Sequence, residues 1–224
     1  MNGLDPEVAA YIGDSYPHNL DYRVVRGKLR PSWKLWRRLR RIKKHYAAPL
    51  DDLLDLSSSK GFFVLDAALK LSCRRAVGID VHEPDLQASR AVAEHLGLNQ
   101  VQFKQQTLDE CALSISDAGG PFRTVLLINT YPYLFLGSDR SDSHIPDHRE
   151  LFERLAKVTE DRLVFSNRIH FEALPRHIQA RAKSLNLEAA YDPVAIRKAA
   201  EMFFQLDEQR PLGKIPLWVL RKRA

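Results

Sequence analysis

The chain has 224 residues, 45% of them hydrophobic and 28% charged, and a net charge of +6. These values indicate a globular protein with one α/β domain and an extension, and no apolar run approaches the roughly 20 residues of a membrane span. Residues 1–22 lack the basic region and apolar core of a secretory signal. Two cysteines are too few for a disulfide framework, and no Cys/His spacing suits zinc, so we expect no metal and a cytoplasmic location.

Residues 1–46 are predicted to form an N-terminal extension, and residues 47–224 the main domain. Residues 1–30 have weak periodicity, which predicts irregular structure with a short helix near Pro6–Ile12. Residues Trp33–Tyr46 predict one helix that is basic except for a single stripe. The apolar residues of that stripe recur at helical spacing: Leu35, Leu39, Ile42 and Tyr46.

Positive charge is concentrated in this extension. Arg23–Tyr46 contains eleven Lys and Arg and no Asp or Glu, so with +6 on the whole chain the remainder carries −5. A basic arm of this kind suits a polyanionic partner or an anionic substrate. In one interpretation the arm binds RNA, with its cations on phosphates and Trp33 or Trp36 stacked on a base. In the other, the apolar stripe packs on the protein and the cations are only solvated.

The stretch from Leu53 to Phe63 carries the strongest functional signal. An apolar run that includes Asp55 leads into the small-residue loop Ser57–Gly61 and then into an apolar helical segment. A second apolar run ends at Asp80, 19 residues after Gly61. A strand, a small-residue turn, a helix and a second strand tipped by an acid form the first half of a nucleoside-binding βαβ unit, in which the acid accepts hydrogen bonds from ribose hydroxyls. This order predicts an adenosine-type cofactor.

Strands and helices are predicted to alternate beyond this point, which indicates a parallel sheet with helices on both faces. The predicted strands are Leu53–Leu56, Ala76–Val81, Val101–Lys104, Thr124–Asn129 and Arg162–Ser166. The predicted helices are Phe62–Leu71, Pro84–Leu96, Asp147–Lys157 and Pro175–Ser184. A terminal hairpin is predicted from two strands, Met202–Asp207 and Ile215–Leu220, around the loop Gln209–Gly213.

The loop resembles the cofactor signature of a known family. Asp55, Ser57, Ser59 and Gly61 have the spacing of the D-x-G-x-G-x-G motif of class I S-adenosylmethionine-dependent methyltransferases, with serine in place of the first two glycines. The resemblance covers residues 47–224 and implies S-adenosylmethionine as cofactor. It also implies a Rossmann-like, seven-stranded methyltransferase sheet of order 3-2-1-4-5-7-6 with the last strand antiparallel.

Further candidates come from the ends of other strands, where open α/β sheets bind ligands. The resemblance places Val81 beside the adenine and makes Thr107, Leu108 and Asp109 candidates for capping it. Asn129 follows the fourth strand as a cofactor-binding candidate. Five residues are candidates for facing the substrate, although core packing is as good an explanation for the two tyrosines: Tyr131, Tyr133, His144, Asn167 and His170. Methyl transfer depends chiefly on in-line approach and desolvation, so the sequence names no catalytic residue.

The resemblance implies a methyltransferase that acts on an O or N nucleophile. In the family, the helix before the first strand usually packs over the cofactor cleft, so we favour a small-molecule acceptor over RNA bound through Arg23–Tyr46. One alternative is an RNA methyltransferase or RNA-binding module that uses the arm. Another is a non-catalytic methyltransferase-like protein, in which the serine-substituted loop has lost the cofactor. The sequence determines neither the acceptor atom nor the oligomeric state.

Overall fold

A computed structural model describes residues 3–70, 73–141, 143–212 and 215–223. The chain divides into two compact units, Met1–Gln106 and Thr107–Ala224. The predicted extension belongs to the first unit, and the boundary after residue 46 stays a prediction. Within the described ranges, no helix is both long and apolar enough to cross a membrane. The same ranges contain no group of three or more His, Cys, Asp or Glu side chains that could hold a metal ion.

The N-terminal segment is more ordered than its sequence suggests. Helix α1 (Pro6–Asp14) begins with Pro6 in its first turn and with the Asp5 carboxylate accepting from two backbone N–H groups. Strands β1 (Tyr22–Val25) and β2 (Lys28–Pro31) form an antiparallel hairpin where we predicted irregular structure. The two residues between the strands, Arg26 and Gly27, both have positive φ, as tight two-residue hairpin turns require. The Arg-Gly pair is a weaker turn signal than Asn-Gly, which is why the prediction missed this hairpin.

Helix α2 (Trp33–Ile42) buries the predicted apolar stripe, since Leu35, Leu39 and Ile42 are at most 2% exposed. The predicted helix was too long at its C-terminal end. A 3-10 turn over Lys43–His45 follows α2, and the backbone at Tyr46 is extended. The Tyr46 side chain is nevertheless buried. The stripe therefore attaches the basic arm to its unit.

The first unit continues as a parallel β/α segment. Its strands are β3 (Asp52–Leu56), β4 (Arg75–Asp80) and β5 (Val101–Gln105), paired in the order β5-β4-β3. Its helices are α3 (Phe62–Lys70) and α4 (Glu83–His95). The predicted C-terminal residue of α3, Leu71, lies outside the described residues. All three strands and both helices occur where the sequence placed them.

The second unit contains helices α5 (Leu108–Leu113), α6 (Tyr131–Leu136), α7 (His148–Val158), α8 (Arg176–Ser184) and α9 (Pro193–Phe203). Its strands are β6 (Phe122–Ile128), β7 (Thr159–Ser166), β8 (Phe204–Leu212) and β9 (Ile215–Lys222). Helices α5, α6 and α9 were not predicted, and Met202, where the last hairpin was predicted to begin, belongs to α9. The Asp192 cap and the buried residues Ile196, Ala199 and Ala200 were a usable signal for α9. The predicted hairpin loop Gln209–Gly213 was too long, because β8 continues to Leu212 and pairs with β9 there. Gly213 lies outside the described residues.

The strand order of the seven-stranded sheet is β5-β4-β3-β6-β7-β9-β8. Counted from β3 as the first strand, this is the predicted order 3-2-1-4-5-7-6. Strand β9 is antiparallel to both β7 and β8. The predicted Rossmann-like methyltransferase sheet is therefore confirmed.

Candidate functional site

The loop between β3 and α3 has left-handed backbone at three alternate positions. Ser57 has φ 67°, Ser59 has φ 46° and Gly61 has φ 72°. These are the three positions at which the family motif has glycine. An L residue with a side chain is disfavoured in this conformation by roughly 1–2 kcal/mol. The chain thus keeps the loop geometry of the motif although two of its glycines are replaced.

Hydrogen bonds from the loop amides hold this geometry. Ser58 N donates to Ile79 O at 2.8 Å, and Gly61 N donates to Ser58 O at 2.9 Å. Ser59 N donates to Asp80 Oδ2 at 2.8 Å. Three of the loop N–H groups are therefore bonded within the unit and do not point at a ligand.

The Ser59 side chain has a specific partner, which accounts for a serine at this position. Its Oγ donates to Asp85 Oδ2 at 2.9 Å, and Asp85, in the first turn of α4, is fully buried. Ser89 Oγ donates to Ser59 O at 3.2 Å and to Asp85 O at 2.7 Å. These contacts attach the loop to α4. Sequence reasoning missed Asp85, because an acid in the first turn of a helix is ordinarily an exposed residue that stabilises the helix dipole.

Two glycines are required by close packing around the loop. A Cβ at Gly61 would lie 2.6 Å from Phe103 Cζ, and its φ also favours glycine. A Cβ at Gly78, on β4, would lie 2.6 Å from Ser58 Oγ. The loop therefore lies against the β4 backbone at Gly78 and against the Phe103 ring of β5, with no room for a side chain at either glycine.

Asp80 lies at the carboxyl end of β4 with both carboxylate oxygens in use. Oδ2 accepts from Ser59 N, and Oδ1 accepts from His82 N at 3.0 Å. A carboxylate has about four acceptor positions, so Asp80 can still accept from a ligand hydroxyl beside these N–H groups. Burial raises the pKa of Asp80, and the backbone N–H donors oppose that rise. The neighbouring Val81 is half-buried, and its carbonyl accepts from Gln105 Nε2 at 3.1 Å.

Asp55 is a second buried acid in this region, 3% exposed. Its pKa is raised well above the ordinary value, chiefly by burial and further by the negative charge of Asp80. A cationic ligand beside Asp55 would favour its ionised form and so oppose this rise in pKa. The structure thus brings the predicted first-unit residues together at the carboxyl ends of β3 and β4: Asp55, Ser57, Ser59, Gly61, Asp80 and Val81.

In the second unit, Asn167 organises the ends of β6 and β7. Its Oδ1 accepts from Thr130 N at 2.7 Å and from Tyr131 N at 2.8 Å, and its Nδ2 donates to Leu127 O at 2.8 Å. Asn167 is fully buried. These bonds use three of the four hydrogen-bonding positions of the Asn167 amide, and all three hold the backbone in place.

Asn129 lies at the same edge and has left-handed backbone, with φ 60°. Its N–H donates to Ser166 O at 2.8 Å. Its side-chain Oδ1 is buried and has no hydrogen-bond partner among the described residues. A buried acceptor in this state costs free energy unless a ligand or water donates to it. This supports Asn129 as a ligand-binding candidate.

Tyr131 lies in an aromatic cluster inside the second unit. It is fully buried, and its hydroxyl lies 2.7 Å from Nδ1 of His148. Nε2 of His148 lies 2.9 Å from Ala190 O. Since a carbonyl can only accept, Nε2 carries the proton and Nδ1 accepts from Tyr131. This burial favours packing over a substrate-facing role for Tyr131.

The remaining candidates of the second unit have varied surroundings. Thr107 caps α5 through a reciprocal pair of bonds with Glu110, and Leu108 is buried. Asp109 Oδ1 accepts from Arg154 Nε at 2.8 Å. Tyr133 and His144 are half-buried, whereas His170 is exposed. Of the substrate-facing candidates, these last three are the ones whose side chains reach the surface.

His148 is expected to make the stability of the protein decline in mild acid. Burial lowers the pKa of His148 from 6.5, while its bond to Ala190 and the charges of Asp147 and Asp192 oppose the shift. Just below pH 6.5 the unfolded chain therefore binds a proton that the folded chain does not. The contribution of His148 to the free energy of unfolding is present in full above pH 6.5. It is lost as the pH falls toward the lower pKa that His148 has in the folded protein.

Urea unfolding between pH 5 and 7.5 measures this effect. His148→Gln retains polar atoms but cannot titrate, so its stability should change less with pH than that of the wild type. His177→Gln alters an exposed histidine and serves as the matched control. Equal pH dependence in His148→Gln and wild type would contradict the assignment.

Comparison with known proteins gives one family match and several structural ones. Residues 49–212 match the family model described as "Methyltransferase domain". The structure of the bifunctional kinase-methyltransferase WbdD has a TM-score of 0.58 at 20% identity, over 83% of this chain and 38% of that one. The PH0226 protein from Pyrococcus horikoshii OT3 has a TM-score of 0.61 at 14% identity, over 97% of both chains. The MccD protein has a TM-score of 0.60 at 13% identity, over 83% of this chain and 96% of that one.

These structural similarities concern the fold, because all of the identities are low. The chain spans well under two thirds of the length of WbdD. No curated protein matches the sequence.

Proposed function

The chain belongs to the methyltransferase domain family, and from this premise we propose that it transfers a methyl group from S-adenosylmethionine to an oxygen or nitrogen atom of a small molecule. The observation that carries the proposal is the left-handed backbone at Ser57, Ser59 and Gly61, joined by Ser59 N to the Asp80 carboxylate. S-adenosylmethionine would supply an activated methyl group on a sulfonium centre. The residues of this chain would hold its adenosine and methionine parts and exclude water.

The donor and acceptor atoms of the first unit fit this cofactor. Asp80 keeps acceptor capacity for a ribose hydroxyl beside the N–H groups that it already binds. Asp55 is a buried carboxyl whose ionised form would be favoured by a ligand ammonium or sulfonium charge.

The same loop disfavours a dinucleotide. A pyrophosphate needs loop N–H groups that point toward it, as in the G-x-G-x-x-G turn. Here the N–H groups of Ser58, Ser59 and Gly61 already donate to protein acceptors. The methionine part of S-adenosylmethionine carries no phosphate, so it does not need free loop N–H groups.

Loss of cofactor binding through the two serines is the less favoured alternative. Serine would disable the motif if its side chain forced the loop out of left-handed backbone. Ser57 and Ser59 nevertheless keep positive φ, and the Ser59 hydroxyl is used in a bond to Asp85. This supports a loop that still binds the cofactor.

A nucleic-acid acceptor is the second candidate function, because α2 presents an exposed aromatic on its basic surface. Trp33 is 66% exposed and stacks on Trp36 at 4.7 Å between ring centroids. Arg40 lies over the Trp36 ring at 4.8 Å. An aromatic ring among cations is a platform on which an unpaired base can stack. We favour the small-molecule acceptor, because the chain just before α2 bonds to the cofactor loop through Asp21 and Lys60, and the apolar stripe of α2 itself is buried, so α2 is not on a free arm.

Calorimetry with S-adenosylmethionine, S-adenosylhomocysteine and NAD tests the proposed function. We expect both sulfur nucleosides to bind the wild-type protein and NAD not to bind, since the loop amides are unavailable to phosphate. Tighter binding of NAD than of S-adenosylhomocysteine would refute the cofactor assignment.

Charge reversal on α2 separates the two acceptor classes. Changing Arg37, Arg38, Arg40 and Arg41 to Glu should abolish any salt-sensitive RNA complex, since each neutralised phosphate releases counterions. If the acceptor is small, the wild type should form no such complex in a gel shift. A control with the same change in charge reverses four exposed cations of the second unit: Arg149, Arg176, Lys183 and Lys198. An RNA complex lost only in the α2 variant would overturn our preference for a small acceptor.

A further inference from the structure

Lys60 is a lysine buried inside the cofactor loop. It lies between Ser59 and Gly61, and its side chain is fully buried. Its Nζ donates to Asp21 Oδ1 at 2.6 Å, to Ser15 O at 2.7 Å and to Ile12 O at 3.4 Å. An ammonium group has three N–H donors, so all of them are used. All three acceptors belong to the N-terminal segment.

The position of these acceptors accounts for a buried charge. Ile12 lies in the last turn of α1, and Ser15 is the residue that caps it. Carbonyls at a helix C-terminus lack intrahelical partners and carry the negative end of the helix dipole. The Lys60 ammonium therefore satisfies the end of α1 and also pairs with a carboxylate. Without this segment, Lys60 would lose every partner that its ammonium has here.

A second contact holds the Lys60 backbone. Tyr22, at the start of β1, is 1% exposed and donates its hydroxyl to Lys60 O at 2.7 Å. Its ring packs on Phe62, the first residue of α3, with centroids 5.5 Å apart. The hairpin thus holds the loop at the residue between its last two left-handed positions.

A third contact reaches the loop through Asp85. Tyr11 of α1 donates its hydroxyl to Asp85 Oδ1 at 2.7 Å. Asp85 Oδ2 accepts from Ser59 Oγ. The N–H of the same serine donates to Asp80. A chain of hydrogen bonds therefore runs from α1 to the acid that is proposed to bind the ribose.

We propose that the N-terminal segment Asp5–Pro31 is a positioning element of the cofactor site, which holds the Ser57–Gly61 loop in its left-handed form through Lys60 and Ser59. A strained backbone conformation persists only where surrounding contacts hold it in place. The segment supplies three such contacts, through the Lys60 ammonium, the Lys60 carbonyl and Asp85. Order in the segment and binding of the cofactor are then coupled: the ordered segment raises the affinity for the cofactor, and the bound cofactor stabilises the ordered segment. This inference rests on the proposed function, because it concerns the same site.

Conservative tyrosine variants test the direction from segment to site. Tyr22→Phe and Tyr11→Phe each remove one hydroxyl that bonds to the loop network. Each is expected to raise the Kd for S-adenosylhomocysteine about 3- to 10-fold, as for loss of an ordinary hydrogen bond. Tyr16→Phe is the matched control, because Tyr16 belongs to the same segment and is 69% exposed. A purely structural role would lower the melting temperature of the variants and leave their Kd unchanged.

Limited trypsin digestion tests the reverse direction in the wild-type protein. Arg23, Arg26 and Lys28 are exposed on the hairpin. If cleavage requires local opening that is incompatible with binding, S-adenosylhomocysteine at 100 times its Kd should slow it by up to about 100-fold. Cleavage after Arg197 and Lys198, exposed in the second unit, is the internal control and should slow less.

The outcomes separate this inference from the proposed function. A wild type that binds no S-adenosylhomocysteine would overturn both. A wild type that binds it, with the same Kd in both tyrosine variants and no protection of the hairpin, would overturn the inference alone. Should Tyr22→Phe fail to fold, Tyr11→Phe and the digestion of the wild type still decide the matter.

Discussion

Replacing Asp80 with alanine is expected to weaken S-adenosylhomocysteine binding by about 1.5–3 kcal/mol, or roughly 10- to 150-fold in Kd. This is the range for hydrogen bonds to a charged group. Asp80 also accepts from Ser59 N and His82 N, so the alanine removes two bonds that shape the site as well as the acceptors for ribose. Calorimetry on the folded variant measures the change.

Asp80→Asn is the informative companion to the alanine variant. An amide keeps one acceptor oxygen but has no charge and cannot accept at its nitrogen. The affinity of Asp80→Asn for S-adenosylhomocysteine should therefore lie between that of the wild type and that of Asp80→Ala. An unchanged Kd in a folded Asp80→Ala protein would remove Asp80 from the site.

The second large effect is expected at Asp21. Replacing Asp21 with alanine should lower the free energy of unfolding by about 3 kcal/mol, toward the low end for one partner of a buried pair because Asp21 keeps some contact with water. Lys60 is 0% exposed and Asp21 is 21% exposed. The variant leaves the ammonium buried with only two carbonyl acceptors. Lys60→Met should lower the free energy of unfolding by less, since water can hydrate the Asp21 carboxylate that it leaves unpaired.

Urea unfolding of the single and double variants tests this asymmetry. The double variant Asp21→Ala, Lys60→Met should be about as stable as Lys60→Met alone, because the buried charge is gone in both. Asp14→Ala, which removes an exposed acid of the same segment, is the control. A Lys60→Met variant less stable than Asp21→Ala would contradict this account of the pair.

The central β/α elements were predictable because their signals are local. The apolar runs that became β3 and β4, and the apolar face of α3, are visible in a few consecutive residues. The spacing of Ser57, Ser59 and Gly61 predicted the loop, and the positive φ at each position explains why that spacing matters. The strand order came from family resemblance, and no local pattern would have supplied it.

The partners of the loop were not predictable, because they lie far away in sequence. Lys60 contacts Asp21 across 39 residues, and Tyr11 contacts Asp85 across 74. A lysine among small residues in a loop is typical of a solvated side chain, and nothing in its neighbours indicates burial.

Tyr131 illustrates the reverse case. Its place after a strand suggested a site residue, while the packing partners that bury it come from α7 and β7.

Hydrogen exchange of the wild-type protein with and without S-adenosylhomocysteine tests the central claim most directly. The cofactor is proposed to rest on the Ser57–Gly61 loop and the Asp80 carboxylate, whose acceptors also bind the amides of Ser59 and His82. The account predicts that the ligand slows exchange in peptides that cover residues 57–61 and 80–82. Binding that leaves exchange in both peptides unchanged and slows it only elsewhere would contradict the account.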